Sequence, residues 1–382
     1  GEVVEREEHI LVLWQAFTTF EYISVILIGY SRESLKRCGP ARDSRVVAWM
    51  LPANSLQIEK LNHTMATLPT FSPRPAPRAH QIQIFYDRGS YSAFPHVIRL
   101  EGDELLLAFR QAPKEDFVRH THPRSVITVI RSNDCGLSWK TESATQMAAG
   151  GGQELGLIYL GKGKVGGALA AHEVVPVDEA ERGGFPQVHE REYPFRSVGA
   201  LWCWSDNFGL TWRLENAILV GNRMQACAPP VRLADGTLII PAYCAIGRST
   251  VSSAVLYRSD DSGENWSGLT VIARGKPKTR SYAEPVLMEL TPGHLLCMLR
   301  VGNDAGSALP GLFWQNESLD HGISWTTPKP TGIQSGACPR LLKLADGRLL
   351  LTYGRRFEPY GLYASLSEDD GRTWSKTSWL LR

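Results

Sequence analysis

A chain of 382 residues with a formal net charge of only +2 is long enough to bury a full core, and its acidic and basic residues are too evenly mixed to form the basic stripe that nucleic-acid binding needs. Nucleic acid is therefore excluded as a partner class. The seven cysteines are odd in number, contain no C-x-x-C pair and sit mostly in apolar runs such as Trp202-Cys203-Trp204 and Leu296-Cys297-Met298, so they read as buried thiols rather than a disulfide frame or a zinc site.

At the amino terminus, Ile10 to Tyr30 is apolar and rich in β-branched and aromatic residues, yet Gln15 and Glu21 interrupt it and Glu2, Glu5, Glu7 and Glu8 precede it. A secretory leader opens on basic residues, and a membrane span tolerates ionisable side chains poorly. The expectation is one or two extra strands, or an extension outside the core, in a soluble protein of either the cytoplasm or the secreted space. Met65 to His80, with Pro69, Pro73, Pro75 and Pro77, reads as a Pro-rich linker. Residues 1–79 are thus set apart as an extension and linker, and 80–382 as the main domain.

Within that domain two elements alternate. The first is an apolar strand, a tight turn and a second apolar strand: Phe94 to Phe109, then Ile158 to Ala168 as a weaker copy with Gly161 and Gly163. Ala226 to Tyr243 turns at Asp235-Gly236, Glu284 to Leu299 at Pro292-Gly293, and Cys338 to Tyr353 at Asp346-Gly347. Asp-Gly between alternating apolar runs is a strong hairpin signal. The second element is an octapeptide that begins at Ser132, Ser205, Ser259, Ser318 and Ser367 and ends at Trp139, Trp212, Trp266, Trp325 and Trp374. Its Asp or Asn bonds nearby backbone N–H groups, its Gly permits positive φ, and its hydroxyls cap the remaining donors. The Asp or Asn falls at 134, 207, 261, 320 and 369, intervals the size of a propeller blade. The polar segment between His172 and Tyr193 breaks the strand pattern and reads as an insertion, either a lid or a solvated loop.

The octapeptide resembles the Asp box, S-x-D-x-G-x-T-W, of the sialidase (neuraminidase) superfamily, whose members fold as a six-bladed β-propeller. The resemblance covers residues 80 to 380 and implies an all-β fold of four-stranded blades, five of them evident here. It implies a further closing blade. That blade is either composite, with Gln81 to Tyr86 and residues 10 to 30 supplying strands, or cut short at Arg382.

In a propeller, residues at the starts of inner strands point into the channel mouth, where unused polar groups cost free energy. Tyr282-Ala283-Glu284-Pro285 and Arg300 lie at the two ends of one hairpin, which brings a carboxylate and a guanidinium to the same rim. A simple ion pair stiffening the rim is the alternative. Arg340, just after Pro339, is placed likewise, and its planar fork suits a carboxylate. Arg110 ends the first inner hairpin and Arg88 precedes it, so both reach toward the mouth.

The resemblance implies that Glu284 polarises a nucleophile and that Arg300 and Arg340 grip a substrate carboxylate. The loop after the first inner hairpin should hold the acid/base Asp, and Asp116 is the nearest match. His120 and His122 in that loop are candidate proton carriers or hydroxyl ligands, and H-x-H alone is a weak metal signal. The pattern departs at Ala93-Phe94-Pro95, where the family has Arg-Ile-Pro. The family's nucleophilic Tyr would lie beyond the fifth box, and neither Tyr360 nor Tyr363 takes its place. The leading expectation is an exo-α-sialidase-type glycoside hydrolase acting on terminal acidic sugars, with no cofactor or metal and no membrane partner. Other readings are a different glycosidase or uronate lyase on the same fold, with His120 or His122 as base, and a non-catalytic sugar-binding propeller.

Overall fold

The computed structural model describes residues 10–14, 22–28, 74–75, 79–115, 121–148, 150–183, 193–302, 311–334, 337–355, 359–375 and 379–380. Near the amino terminus lie β1 (Ile10–Trp14), β2 (Tyr22–Ile28), the two-residue β3 (Arg74–Pro75) and β4 (Ala79–Tyr86). The first blade holds β5 (Ser90–Arg99), β6 (Leu105–Pro113), β7 (Val126–Ser132) and β8 (Lys140–Ala148). The second holds β9 (Leu155–Gly161), β10 (Lys164–Val174), β11 (Phe195–Ser205) and β12 (Ile218–Asn222). The third holds β13 (Val231–Arg232), β14 (Leu238–Ala245), β15 (Ser252–Ser259) and β16 (Thr270–Ala273). The fourth holds β17 (Ser281–Thr291), β18 (His294–Gly302), β19 (Leu312–Ser318) and β20 (Lys329–Gln334). The fifth holds β21 (Ala337–Lys343), β22 (Leu349–Arg355), β23 (Gly361–Ser367) and β24 (Trp379–Leu380), against which β3 adds in parallel.

Each blade is an antiparallel meander in chain order, so the fold is a β-propeller with five such blades. A further three-stranded sheet joins β1, β2 and β4, with Tyr22 opposite Tyr86 and Ile28 opposite Ala79. It lies against the first blade, where Ile84 and Phe85 pack with Leu107, Phe109 and Ile130. Among its described residues the polar insertion contains a short helix, α1 (Val177–Gly183), with acidic residues in its first turn and Arg182 in its last.

The core sits between blades. Leu106, Ile127 and Val129 of the first blade meet Leu155, Leu157 and Leu169 of the second. Ile239 and Leu256 of the third meet Leu287, Leu295 and Leu299 of the fourth. A second strand such as β6 is covered on both flanks, which is why Leu105 to Phe109 is a continuous apolar run rather than an alternating one.

All five octapeptides are outer-hairpin turns of one geometry. In the first, Ser132 is buried, donates to Asp134 Oδ1 at 2.7 Å and accepts from the Gly136 N–H at 2.8 Å. Asp134 in turn accepts from the Ser138 N–H at 2.9 Å, and the Trp139 indole donates to the Gly136 carbonyl at 3.0 Å. Two consecutive residues are left-handed, the glycine and the non-glycine before it (Cys135, Phe208, Ser262, His321 and Asp370, φ from 55° to 62°). The glycine also allows close approach to the preceding blade. A Cβ on Gly263 would stand 2.3 Å from the Trp202 indole, and one on Gly371 would stand 2.6 Å from Leu296. The five box tryptophans are half-buried rather than fully enclosed, because each covers the outer end of a blade, whereas Trp202 within the second blade is fully buried.

Candidate functional site

Three inner strands break their ladders at the same place. The register shifts between Ala93 and His96 in β5, between Ala283 and Val286 in β17, and between Ala337 and Arg340 in β21. In each break the residue before a proline is left-handed: Phe94 at φ 53°, Glu284 at 46° and Cys338 at 45°. That conformation is costly for a side chain with a Cβ, and the following proline restricts it further. Strain repeated at equivalent positions marks the rim as a place where side chains are re-aimed rather than left to alternate.

These breaks gather residues from several blades. One depression is lined by Phe94 and His96 of the first blade, Glu154 of the second, Cys227 of the third and Arg340 of the fifth. Four blades meet at one spot only around the propeller axis, so this is the channel mouth. Glu284 adjoins it. The buried Glu284 carboxylate accepts from the Arg300 guanidinium on one oxygen and from the Cys338 N–H at 2.6 Å on the other. Burial works against the Arg300 charge, and the neighbouring Glu284 outweighs it and raises the Arg300 pKa. Arg340 donates to the carbonyls of Pro339 at 2.9 Å and Cys227 at 3.2 Å, and none of its hydrogen bonds is to a carboxylate among the described residues. Glu284, Arg300 and Arg340 are thus brought together through the segment Cys338-Pro339-Arg340.

Around this trio lie residues that the sequence did not single out. Tyr243, on β14, donates its hydroxyl to Gln225, with the Cys227 sulfur 3.8 Å away. Burial, and then the nearby Cys227 and Glu284, hold its proton well above the usual phenol range. Cys227 and Cys338 are kept as neutral thiols, first by burial and then by the surrounding carboxylates. His96 accepts the Leu157 N–H on Nδ1 at 2.9 Å, and burial followed by the charge of Arg340 drives its pKa down to about 3.

The other sequence candidates are placed as follows. Arg110 lies opposite Ala93 just as Arg300 lies opposite Ala283, so the two are counterparts in different blades. Arg110 is fully buried, donates to Ser125 Oγ at 3.1 Å and stands 5.7 Å from the Tyr91 ring centre. Arg88 is exposed in the turn after β4 and bonds the Tyr86 hydroxyl at 3.1 Å. His122 is buried, 3.0 Å from Glu115, which also accepts from the Tyr193 hydroxyl at 3.0 Å. This cluster ties the loop after β6 to the segment that enters β11. Asp116 and His120 lie outside the described residues. Among the described residues no group of three or more His, Cys, Asp and Glu side chains is placed to hold a metal ion, and no helix is long and apolar enough to cross a membrane.

Residues 195–382 match the family described as "BNR repeat-like domain". No curated protein matches the sequence. Among solved structures, a Dyadobacter fermentans protein of unknown function superposes with a TM-score of 0.65 at 22% identity, covering 78% of this chain and 85% of that one. A Hadza microbial sialidase gives 0.55 at 19%, over 76% of this chain and 58% of its own. A Penicillium chrysogenum α-L-arabinanase complexed with arabinobiose gives 0.53 at 17%, over 75% and 80%. At these identities the likeness establishes the propeller and leaves the chemistry to the mouth.

Proposed function

We propose that this chain, whose residues 195–382 match a BNR repeat-like domain, is a sialidase-like glycoside hydrolase acting on the terminal acidic sugar of a glycan, of the exo-α-sialidase type. The observation that carries the reading is the convergence of Glu284, Arg300 and Arg340 at one channel mouth. Arg340 offers a cation whose hydrogen bonds among the described residues go to carbonyls, and a guanidinium fork takes a carboxylate through two parallel bonds. Arg300 gives a second positive group while holding Glu284 in place. Glu284 has a donor on each oxygen, so it serves as a fixed anion that orients an attacking water and stabilises the positive charge that develops on the sugar. Asp116 is assigned the acid/base role. Tyr243 keeps its proton and acts as a neutral hydrogen-bonding group beside Glu284. The fully buried Ala93 leaves no arginine at the first position, so the carboxylate grip falls on Arg340 and Arg300, with Arg110 on the same rim.

A second reading, a propeller that binds an acidic sugar without cleaving it, draws on one specific observation: both oxygens of Glu284 are already occupied. The deciding experiment offers the protein a fluorogenic sialoside and a panel of uronate-terminated substrates. Release of aglycone by the native chain, lost by at least about 100-fold in kcat for Glu284→Gln with binding retained, is the hydrolase outcome. Binding without product from any substrate is the recognition outcome. We also take the sheet of β1, β2 and β4 as the blade that completes six, so that residues 1–79 contribute strands to the propeller formed by 80–382. Deleting residues 1–30 would then lower the melting temperature by several degrees.

A further inference from the structure

We propose that the links flanking the third blade on the mouth side form a binding surface for a sulfated polysaccharide, outside the channel mouth and independent of any turnover there.

Three links carry it. Arg223 lies between β12 and β13, Arg248 between β14 and β15, and Arg274, Lys276, Lys278 and Arg280 between β16 and β17. Each link joins strand ends on the side of Tyr243 and Glu284, whereas the Asp235-Gly236 turn and the boxes close the opposite ends of the same strands. The links also touch. Gly275 N–H donates to Ser253 Oγ at 3.0 Å, and a Cβ on Gly275 would stand 2.4 Å from the Ser252 carbonyl oxygen, so the third link lies on the start of β15, where the Arg248 loop ends. Within it Lys278 is left-handed at φ 61°, and the Thr279 and Arg280 N–H groups return to the Lys276 carbonyl at 3.1 and 2.9 Å. That tight turn crowds its cations together. Arg280 is fixed by stacking 3.5 Å from the Trp314 ring centre, and the other five cations are exposed.

Elsewhere exposed arginines are paired, as in Arg182 with Asp178, Arg196 with Glu173 and Arg348 with Asp346. None of these six cations has an acidic partner among the described residues, and the three links contain no Asp or Glu. The third blade's own acids, Asp235, Asp260, Asp261 and Glu264, stand at the far ends of its strands. Unneutralised like charge held together costs stability and attracts a partner of opposite sign.

The chemistry of that partner follows from what the surface lacks. No exposed large apolar side chain lies on the described links, so there is no apolar centre for a protein interface and nothing to insert into a membrane. The Trp314 face is covered by Arg280, which leaves no open ring on the links for a base to stack on. A broad duplex would run onto the insertion, because the Arg223 link is bonded to the start of β11, where Arg196 holds Glu173 and Glu179. A thin hydrophilic chain remains. Four cations within residues 274–280 match several charges per sugar, which sulfate esters supply at any ordinary pH and a single carboxylate per sugar does not.

The test is calorimetric titration of the full-length chain with dextran sulfate, and in parallel with uncharged dextran, polygalacturonate, duplex DNA, polyglutamate and phosphatidylserine vesicles. It is repeated on Arg274→Gln/Lys276→Gln/Lys278→Gln and on Lys140→Gln/Lys162→Gln/Lys329→Gln, which removes equal charge from exposed lysines at the opposite ends of the strands. Melting temperatures verify folding, and Lys276→Gln/Lys278→Gln at the exposed turn carries the test should the triple variant unfold. Dextran sulfate should bind most tightly, about tenfold or more weaker in the link variant and within about twofold in the control, with a salt dependence that is shallower in the link variant. Equal losses in the two triple variants, no binding of dextran sulfate, or binding of any other probe as tight as dextran sulfate would overturn the proposal.

Discussion

The outer rim and the channel mouth of this propeller use the same backbone device for opposite ends. At the rim, five non-glycine residues take left-handed φ so that a serine, an aspartate or asparagine, and a glycine can close a turn on themselves. At the mouth, Phe94, Glu284 and Cys338 take it at ladder breaks, and there the Glu284 side chain accepts the Cys338 N–H of the next blade. The rim carboxylates are consumed by their own turn. At the mouth Glu284 is paired with Arg300 of its own blade and tied to the next blade by the Cys338 N–H, and Arg340 is not matched to a carboxylate at all among the described residues. Strain that closes on itself stabilises a fold; strain that leaves charge aimed at a shared space is the signature of a site.

The comparison breaks most severely at Glu284. Replacing Arg300 with Met takes the guanidinium away from a buried carboxylate, and should cost about 3–5 kcal/mol in chemical denaturation, since the anion keeps its desolvation but loses its cation. If Arg300→Met is as stable as the native chain, the mouth is ordinary surface and the contrast with the rim is lost. At the rim, Trp325→Ala should cost about 2–3 kcal/mol, less than for an enclosed tryptophan, because the ring is half-exposed although it packs on the core between the third and fourth blades. Ser318→Ala comes next, at about 1–2 kcal/mol, because the buried hydroxyl both accepts from the Gly322 N–H at 2.8 Å and donates to Asp320 at 2.8 Å. Neither rim variant should alter sugar affinity.

The same division decides what could be read in the sequence. The boxes and the Asp-Gly hairpins were legible because their chemistry is local, complete within eight residues. Glu284 and Arg300 were legible because one hairpin joins them, with Arg300 directly opposite Ala283. Tyr243, Glu154, Cys338 and His96 were not, because they meet across blades and no interval along the chain encodes that. A signal was nonetheless present: Phe94-Pro95, Glu284-Pro285 and Cys338-Pro339 stand at the start of three inner strands, and a residue before proline in a strand ladder announces a break. The sheet of β1, β2 and β4 was legible only as one of two alternatives, since the pairing of β2 with β4 joins segments some fifty residues apart, which no local pattern specifies. The depth of the box tryptophans was not legible either, because the octapeptide specifies the turn and not how much of the next blade overhangs it.

The smallest effect lies at the rim and uses a comparison already present in the chain. Asp261 and Asp320 have their pKa values lowered to about 2, Asp320 chiefly by the Ser324 hydroxyl and N–H and then by Ser318, Asp261 by the Asn265 N–H and side chain. A folded pKa below the unfolded value means that each carboxylate adds stability above about pH 4, and that the contribution fades as pH falls from there toward about 2. The second box has Asn207 instead, whose carbonyl accepts the Thr211 N–H at 2.9 Å and whose amide donates to the Thr211 hydroxyl at 2.9 Å. It makes a turn of the same shape with nothing to titrate. Asp320→Asn should therefore cost under about 1 kcal/mol at neutral pH, and should make the fall in stability between about pH 4 and 2 shallower. Asn207→Asp should make it steeper by a similar amount, once the new carboxylate accepts from the Thr211 hydroxyl as its equivalents do. Urea denaturation of the three proteins at a series of pH values reads both slopes, and parallel curves would mean that the rim carboxylates gain nothing from their turns.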